Sequence, residues 1–157
     1  MKQLNSDIIA FVQTINGDDW TKICPPEDWT VGVTARHIAA GHYGIIDLVK
    51  KMVKDQPLPA ITMDEIIAMA NRHARDYAEC TKEEVLMLLK ENGRIAADFI
   101  LGLSDDTLDR QGDLPAFGKV TVERLIKMVL FHSGAAHLES MKSAVAQPPD
   151  GPAAVKT

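Results

Sequence analysis

The sequence predicts an all-α fold, an up-and-down four-helix bundle with an additional helix. One short and four longer segments carry apolar residues at helical spacing, two of them begin with a helix-capping pattern, and no segment alternates strictly between apolar and polar residues. A chain of 157 residues, 46% hydrophobic and 25% charged, is long enough for one substantial core. We therefore expect one helical domain over residues 1–146.

The first two predicted helices are separated by a loop rich in proline and tryptophan. Apolar residues at helical spacing indicate a helix over about residues 2–15. After the loop, Thr30 is expected to cap a second, longer helix that ends near Asp55, before two closely spaced prolines. Trp20 and Trp29 lie in the loop and are expected to cover the end of the bundle.

Capping boxes mark the start of the next two helices. In the segments TMDE, from Thr62, and TKEE, from Thr81, a threonine is followed three residues later by a glutamate. The two side chains can satisfy the free amides of a helix start, which predicts helices over roughly 63–79 and 82–103. The following stretch, LSDDTLDRQGDLPAFGKV, reads as a long connection with a short extended piece.

The last predicted helix begins after a cap at Thr121 and runs to about Ala146. The remaining residues 147–157, QPPDGPAAVKT, lack apolar side chains that could pack against the bundle. We expect this tail to be disordered.

Composition argues against several classes of function. The net charge is −5 and the basic residues are scattered among acidic ones, so we expect no nucleic-acid partner. Cys24 and Cys80 form no paired motif and fit reduced thiols. No segment approaches the ~20 apolar residues of a membrane span, and Asp7 interrupts the apolar residues near the N-terminus. We expect a cytoplasmic protein without a membrane partner.

Histidines on two predicted helices are the candidates for function. His37 and His42 lie on the second helix, and His132 and His137 lie on the last one. Histidine is the commonest metal ligand among side chains, and packed helices can bring such rings to one point. We expect a metal site inside the bundle, with His37, His132 and His137 as the candidate ligands.

The spacing of the histidines limits how they can share one ion. His132 and His137 are five residues apart, which places them about 140° apart on a regular α-helix. A π-bulge at Ser133-Gly134, where two weak helix formers stand together, would bring them closer. His37 and His42 have the same spacing.

Each histidine also has a purely structural interpretation. A histidine on the flank of an apolar face is often a hydrogen-bonded core residue and not a ligand. His73 lies among charged residues, and we expect it on the solvated surface. No catalytic acid or base can be named from the sequence.

Four segments together resemble the DinB-like superfamily of damage-inducible and thiol-dependent transferase proteins. The segments are WTVGVTARHIA from Trp29, QPLPAITMDEI, NRHAR from Asn71 and HLESM from His137. The most specific element is a tryptophan eight residues before a helix-two histidine, combined with a histidine-bearing last helix. The similarity covers roughly residues 1–146.

The resemblance implies a four-helix bundle, often a homodimer, that holds a divalent ion, nickel or zinc, with three histidines. One comes from the second helix and two, at HxxxH spacing, from the last. His37 matches the first position and His137 the third, but the second position falls on Ser133, one residue after His132. Either a bulge restores His132 to the ion, or His42, a carboxylate or water completes a two-histidine site.

The resemblance also implies an activity. Characterised relatives use the metal in thiol chemistry, with mycothiol, bacillithiol or glutathione as a low-molecular-weight cosubstrate. We therefore expect a metal-dependent enzyme, a thiol-dependent S-transferase or a hydrolase, that acts on a small molecule between the second and last helices. The alternative is a non-catalytic member of the fold that binds a small ligand or a partner subunit and has a degenerate metal site.

Overall fold

A computed structural model describes residues 1–147 and shows an all-α helical bundle, as the sequence predicts. The α-helices are α1 (Lys2–Thr14), α2 (Gly17–Trp20), α3 (Val31–Arg36), α4 (Ile45–Val53), α5 (Met63–Asp76), α6 (Lys82–Leu101), α7 (Asp105–Leu108), α8 (Val122–Ile126) and α9 (Gly134–Ala146). Two π-helical segments, π1 (His37–His42) and π2 (Lys127–Ser133), interrupt the predicted second and last helices. None of the helices within the described residues is long and apolar enough to cross a membrane.

Four long elements surround the core. They are α1, α6, the second long helix (α3, π1 and α4) and the last long helix (α8, π2 and α9). The fully buried apolar side chains come from all four, among them Ile8, Ile38, Leu89, Leu125 and Met141. Helix α5 is the additional helix, and it packs against π1. The second and last long helices are neighbours, which is the arrangement that a shared site between them requires.

Threonine caps begin the helices at the predicted places. The hydroxyl groups of Thr30, Thr62, Thr81 and Thr121 each accept a hydrogen bond from the amide three residues later. Thr62 and Glu65 form the complete capping box. At Thr81 the expected return contact is replaced, because the Glu84 carboxylate lies 3.0 Å from Nε of Arg36 on the second long helix. Glu84 therefore pairs with the buried guanidinium of Arg36 and does not complete a capping box with Thr81.

The two π-helical segments change the winding of both histidine-bearing helices. The bulge expected near Ser133-Gly134 is present, since π2 ends at Ser133 and α9 begins at Gly134. A second π-helical segment, π1, spans His37 to His42, where the sequence predicts a regular helix. In π winding the hydrogen bonds run from i to i+5, so residues five apart lie on nearly the same side of the helix.

Two short antiparallel hairpins connect the helices. Strands β1 (Ile23–Cys24) and β2 (Trp29–Thr30) pair just before α3, and β3 (Gln111–Leu114) and β4 (Gly118–Thr121) pair just before α8. The second hairpin includes the extended piece that the sequence predicts. Its turn is tied to the α4–α5 connection, because the amide of Ala116 donates to the Ile61 carbonyl at 3.0 Å.

The predicted helix ends are close to those observed, at Val53, Asp76 and Leu101. The predicted tail, 147–157, lies outside the described residues except for Gln147, so its disorder and the domain boundary at residue 146 stay predictions. Cys24 and Cys80 are both buried free thiols, in agreement with the sequence.

Candidate metal centre

Three histidines converge between the second and last long helices. One ring nitrogen of each of His37, His42 and His137 lies within 4.8 Å of the others. The ring centroids are 4.8 Å apart for His37 and His42, 5.4 Å for His37 and His137, and 4.9 Å for His42 and His137. We call these three residues the histidine cluster.

The π winding of π1 explains how His37 and His42 come together. On a regular α-helix they would be about 140° apart, whereas the wider turn of π1 brings them to one side. Gly41 makes room for the first ring, because a Cβ atom at this position would lie 2.9 Å from Nδ1 of His37. A glycine in the π segment therefore allows the His37 ring to turn towards His42.

The last long helix contributes only one histidine to the cluster. His137, on α9, is part of it, whereas His132 is exposed and stands outside it. The π winding of π2 thus does not bring His132 to the cluster, and Ser133 lines the cavity beside His137 instead. The structure brings two of the three predicted ligands together and adds His42 to them. The sequence carried a signal for His42 in its five-residue spacing from His37.

Glu27 fixes the orientation of His137. Its Oε1 atom lies 2.7 Å from Nδ1 of His137, and its Oε2 atom accepts a hydrogen bond from the Ser140 hydroxyl at 2.5 Å. A carboxylate can only accept, so in the neutral ring Nδ1 carries the proton and the Nε2 lone pair stays free. This is the carboxylate–histidine arrangement commonly found behind metal ligands.

The loop between β1 and β2 presents Glu27 to the last helix. The Cys24 carbonyl accepts hydrogen bonds from the amides of both Glu27 and Asp28, and Asp28 has a positive φ of 57°. This tight turn places the Glu27 side chain beside α9. Glu27 could not be predicted from the sequence, because a loop residue 110 positions before its partner has no periodic pattern that would reveal it.

Burial keeps two of the cluster rings uncharged. Burial, with smaller contributions from the neighbouring His137 and His73, lowers the pKa of His37 to about 4. Burial and the neighbouring His37 and His137 lower the pKa of His42 to about 3. Both rings are therefore neutral near pH 7, which is the state in which imidazole binds a metal.

The donor set fits a divalent metal ion. The Nδ1 atoms of His37 and His42 are buried and have no hydrogen-bond partner within residues 1–147. Buried polar atoms normally have a hydrogen-bond partner, and a bound ion would satisfy these two nitrogen atoms. Neutral imidazole nitrogens suit zinc and nickel, and three of them on one side leave coordination positions open.

A fourth histidine, His73, lies next to the cluster on α5. His73 is half-buried, and its ring centroid is 5.9 Å from that of His37, so the expected surface position is wrong. Nη1 of Arg36 lies 3.1 Å from Nε2 of His73, and the same guanidinium pairs with Glu84 and stacks 3.2 Å from the centre of the Tyr77 ring. Since Arg36 can only donate, His73 accepts through Nε2 and supports the second helix near His37.

The two tryptophans of the first loop have different roles. The Trp20 indole N–H donates to the Cys80 carbonyl, and its ring packs against Gly32, at the end of the bundle as expected. The Trp29 ring meets that of His37 edge to face, with centroids 5.0 Å apart. Trp29 therefore also supports the histidine cluster.

A cavity of about 540 Å³ opens beside the histidine cluster. All three cluster histidines line it, together with Ser133 and apolar side chains from the second long helix, α5, π2 and the loops between them. Its volume lies in the range of small-molecule sites in proteins. The cluster thus faces a space that can hold a ligand.

The fold is a helical bundle, and three imidazoles converge beside a cavity. These features place the protein among helical bundles with a site that could hold a metal ion. The family model of the DinB superfamily matches residues 1–141, and the chain belongs to this superfamily. No curated protein and no solved structure gives a significant match. The family assignment therefore rests on the family model, and it confirms the resemblance seen in the sequence.

Proposed function

We propose that the protein is a divalent-metal-dependent enzyme in which a low-molecular-weight thiol, or water, attacks a small electrophilic molecule. The observation that carries this proposal is the convergence of three imidazoles within 4.8 Å beside a cavity. Membership of the DinB superfamily supports it, since the resemblance implies metal-dependent thiol chemistry.

The proposed ligands of the ion, nickel or zinc, are His37, His42 and His137. His42 takes the place for which the sequence predicts His132. An ion held by three neutral imidazoles keeps an open position and lowers the pKa of a bound water or thiol, which supplies a nucleophile near neutral pH.

Residues around the cluster prepare it for this role. Glu27 holds His137 with its Nε2 lone pair free, and burial keeps His37 and His42 uncharged. Burial also raises the pKa of the Cys24 and Cys80 thiols. Neither cysteine is then a ready nucleophile, so the attacking thiol comes from outside the chain.

The proposed functional form is a cytoplasmic homodimer that needs neither a nucleic acid nor a membrane as partner. The dimer follows from the resemblance to the superfamily, and the net charge of −5 argues against nucleic-acid binding. Light scattering over a range of protein concentrations tests the dimer, and a monomer at every concentration would contradict it.

Metal content is the first test of the proposed function. The untagged protein, purified without added ions, is expected to contain close to one nickel or zinc ion per chain. Inductively coupled plasma mass spectrometry measures this content. His42→Ala and His137→Ala should lose this ion. His132→Ala is the matched control and should retain it, because the side chain is exposed and outside the cluster. Equal metal content in all four proteins would favour the non-catalytic alternative.

Turnover is the second test. The metal-loaded protein is mixed with glutathione or bacillithiol and an alkyl halide. In the expected reaction a carbon–sulfur bond forms, the carbon–halogen bond breaks, halide leaves with the electron pair and the thiol proton passes to buffer. Thioether formation that disappears in His137→Ala supports a transferase, whereas ester hydrolysis without a thiol requirement supports the hydrolase form.

A further inference from the structure

The cavity beside the histidine cluster has walls of one chemical character. Apolar side chains come from four parts of the chain: α4, the α4–α5 connection with the start of α5, the turn of the β3–β4 hairpin, and π2. The apolar lining residues include Ile45, Leu48, Ile61, Ile66, Phe117 and Met128. Such a lining favours a ligand body without polar groups.

The outer side of the cavity is held together by the second hairpin. The backbone hydrogen bond from Ala116 to Ile61 joins the hairpin turn to the α4–α5 connection, and Ile61 and Phe117 both line the cavity. Gly112 allows this close approach, since a Cβ atom there would lie 2.8 Å from Cδ1 of Leu58. The hairpin therefore closes an apolar space that the helices by themselves would leave open.

Charged groups of the lining stay in water. Asp47 and Lys51 are the charged residues other than histidine that line the cavity within the described part of the chain, and both are exposed. Asp47 is paired with Lys50 at 3.1 Å. Apart from the histidines, Ser133 is the remaining polar residue of this lining among residues 1–147. A peptide-like or sugar-bearing thiol would leave many hydrogen-bonding groups without partners against these walls, at a cost in affinity.

We infer that the cavity binds an apolar alkyl or aryl substrate, with the reacting end of that substrate directed to the histidine cluster. The inference rests on the proposed function and adds the chemical class of the electrophilic substrate. The polar thiol would then approach the histidine cluster from outside the apolar part of the cavity. Met63 and Met128, two flexible side chains in the lining, suit a site that accepts more than one apolar shape.

A homologous series of ligands tests the inference without any catalysis. Linear 1-alkanols of four to ten carbons are titrated by calorimetry into metal-free protein, and alkyl hydroxamates of the same lengths into metal-loaded protein. Each added methylene should tighten binding about fourfold until the cavity is full. Oligoethylene glycols of matched length are the polar controls and should show no such gain.

A pair of adjacent substitutions on α5 localises the binding. Ile66 lines the cavity, whereas Ile67 is 52% exposed and does not. Ile66→Glu should weaken octanol binding by at least tenfold, and Ile67→Glu should leave it unchanged. Ile66→Trp should move the end of the methylene gain to a shorter chain, because the larger ring occupies part of the space.

The outcomes separate the inference from the proposed function. A methylene gain with alkanols supports the apolar site even if the protein binds no metal, in which case only the metal-dependent function fails. Equal binding of alkanols and glycols, or octanol binding that is insensitive to Ile66→Glu, would overturn the inference. It would also be overturned if alkanols dissociated a dimer and Ile66→Glu did the same, because the cavity would then be a subunit interface.

Discussion

The Nδ1 atom of His137 lies 2.7 Å from the Oε1 atom of Glu27, a residue 110 positions earlier in the chain. The contact joins the first hairpin to the last helix, and the Ser140 hydroxyl holds the other oxygen of the same carboxylate. Because His137 is a proposed metal ligand, this carboxylate sets which ring nitrogen is free to bind. Glu27 is thus a positioning residue for the metal centre.

Glu27→Ala should weaken metal binding by about 10- to 100-fold, the usual effect of removing a carboxylate behind a histidine ligand. Glu27→Gln keeps an oxygen that accepts from Nδ1 and should lose less. Calorimetric titration of metal-free protein with zinc or nickel measures both. Asp28→Asn is the control, since Asp28 is exposed and its positive φ is tolerated by asparagine. Equal affinity in Glu27→Ala and wild type would remove the positioning role.

Gly41→Ala should disturb the metal centre more than the fold. The added methyl group would lie 2.9 Å from Nδ1 of His37 and force this ring to shift, although alanine is the better helix former. We expect at least a tenfold loss of zinc affinity with little change in the midpoint of urea unfolding. Gly17→Ala, where a Cβ atom meets nothing within 4 Å, is the matched control. An unchanged zinc affinity in Gly41→Ala would show that the His37 ring does not need this space.

Ser133→His should restore a metal site that has lost His42. Ser133 lines the cavity beside His137 and occupies the position at which the resemblance places a histidine. His42→Ala is expected to lose most of its zinc affinity, and the double variant with Ser133→His should regain at least tenfold. His132→Ala is the control and should bind zinc as the wild type does, because His132 is exposed and outside the histidine cluster. Failure of the double variant to recover would mean that π2 directs residue 133 away from the ion.

The metal-free protein should be less stable at pH 5 than at pH 7. An unperturbed histidine has a pKa of 6.5, whereas His37 and His42 have values of about 4 and about 3. Between these limits the unfolded chain binds protons that the folded chain does not, so the free energy of unfolding falls as the pH falls. A loss of about 1–2 kcal/mol for each ring is expected.

Urea unfolding of metal-free protein at the two pH values measures this loss. His42→Gln should remove about half of the difference, whereas His132→Gln should leave it unchanged. The idea fails if wild type and His42→Gln show the same dependence on pH.

Local sequence patterns were enough to predict most of the helices. Apolar spacing and threonine caps depend on residues within one or two turns of each other, so the starts at Thr30, Thr62, Thr81 and Thr121 could be read directly. The hairpin β3–β4 was predicted only as an extended piece. Its pairing depends on contacts with the distant α4–α5 connection, which no local pattern contains.

The candidate site also combines features that local sequence patterns predict with features that depend on distant contacts. The sequence was enough to predict that histidines on the second and last helices face each other, and the structure places His37 and His137 together. Three features come from the three-dimensional packing: His42 joins these two histidines, His132 stays outside, and Glu27 lies behind His137. Helix winding and loop position depend on packing across the whole bundle, because the energy of a π turn or a tight loop is balanced by contacts with residues far away in the chain.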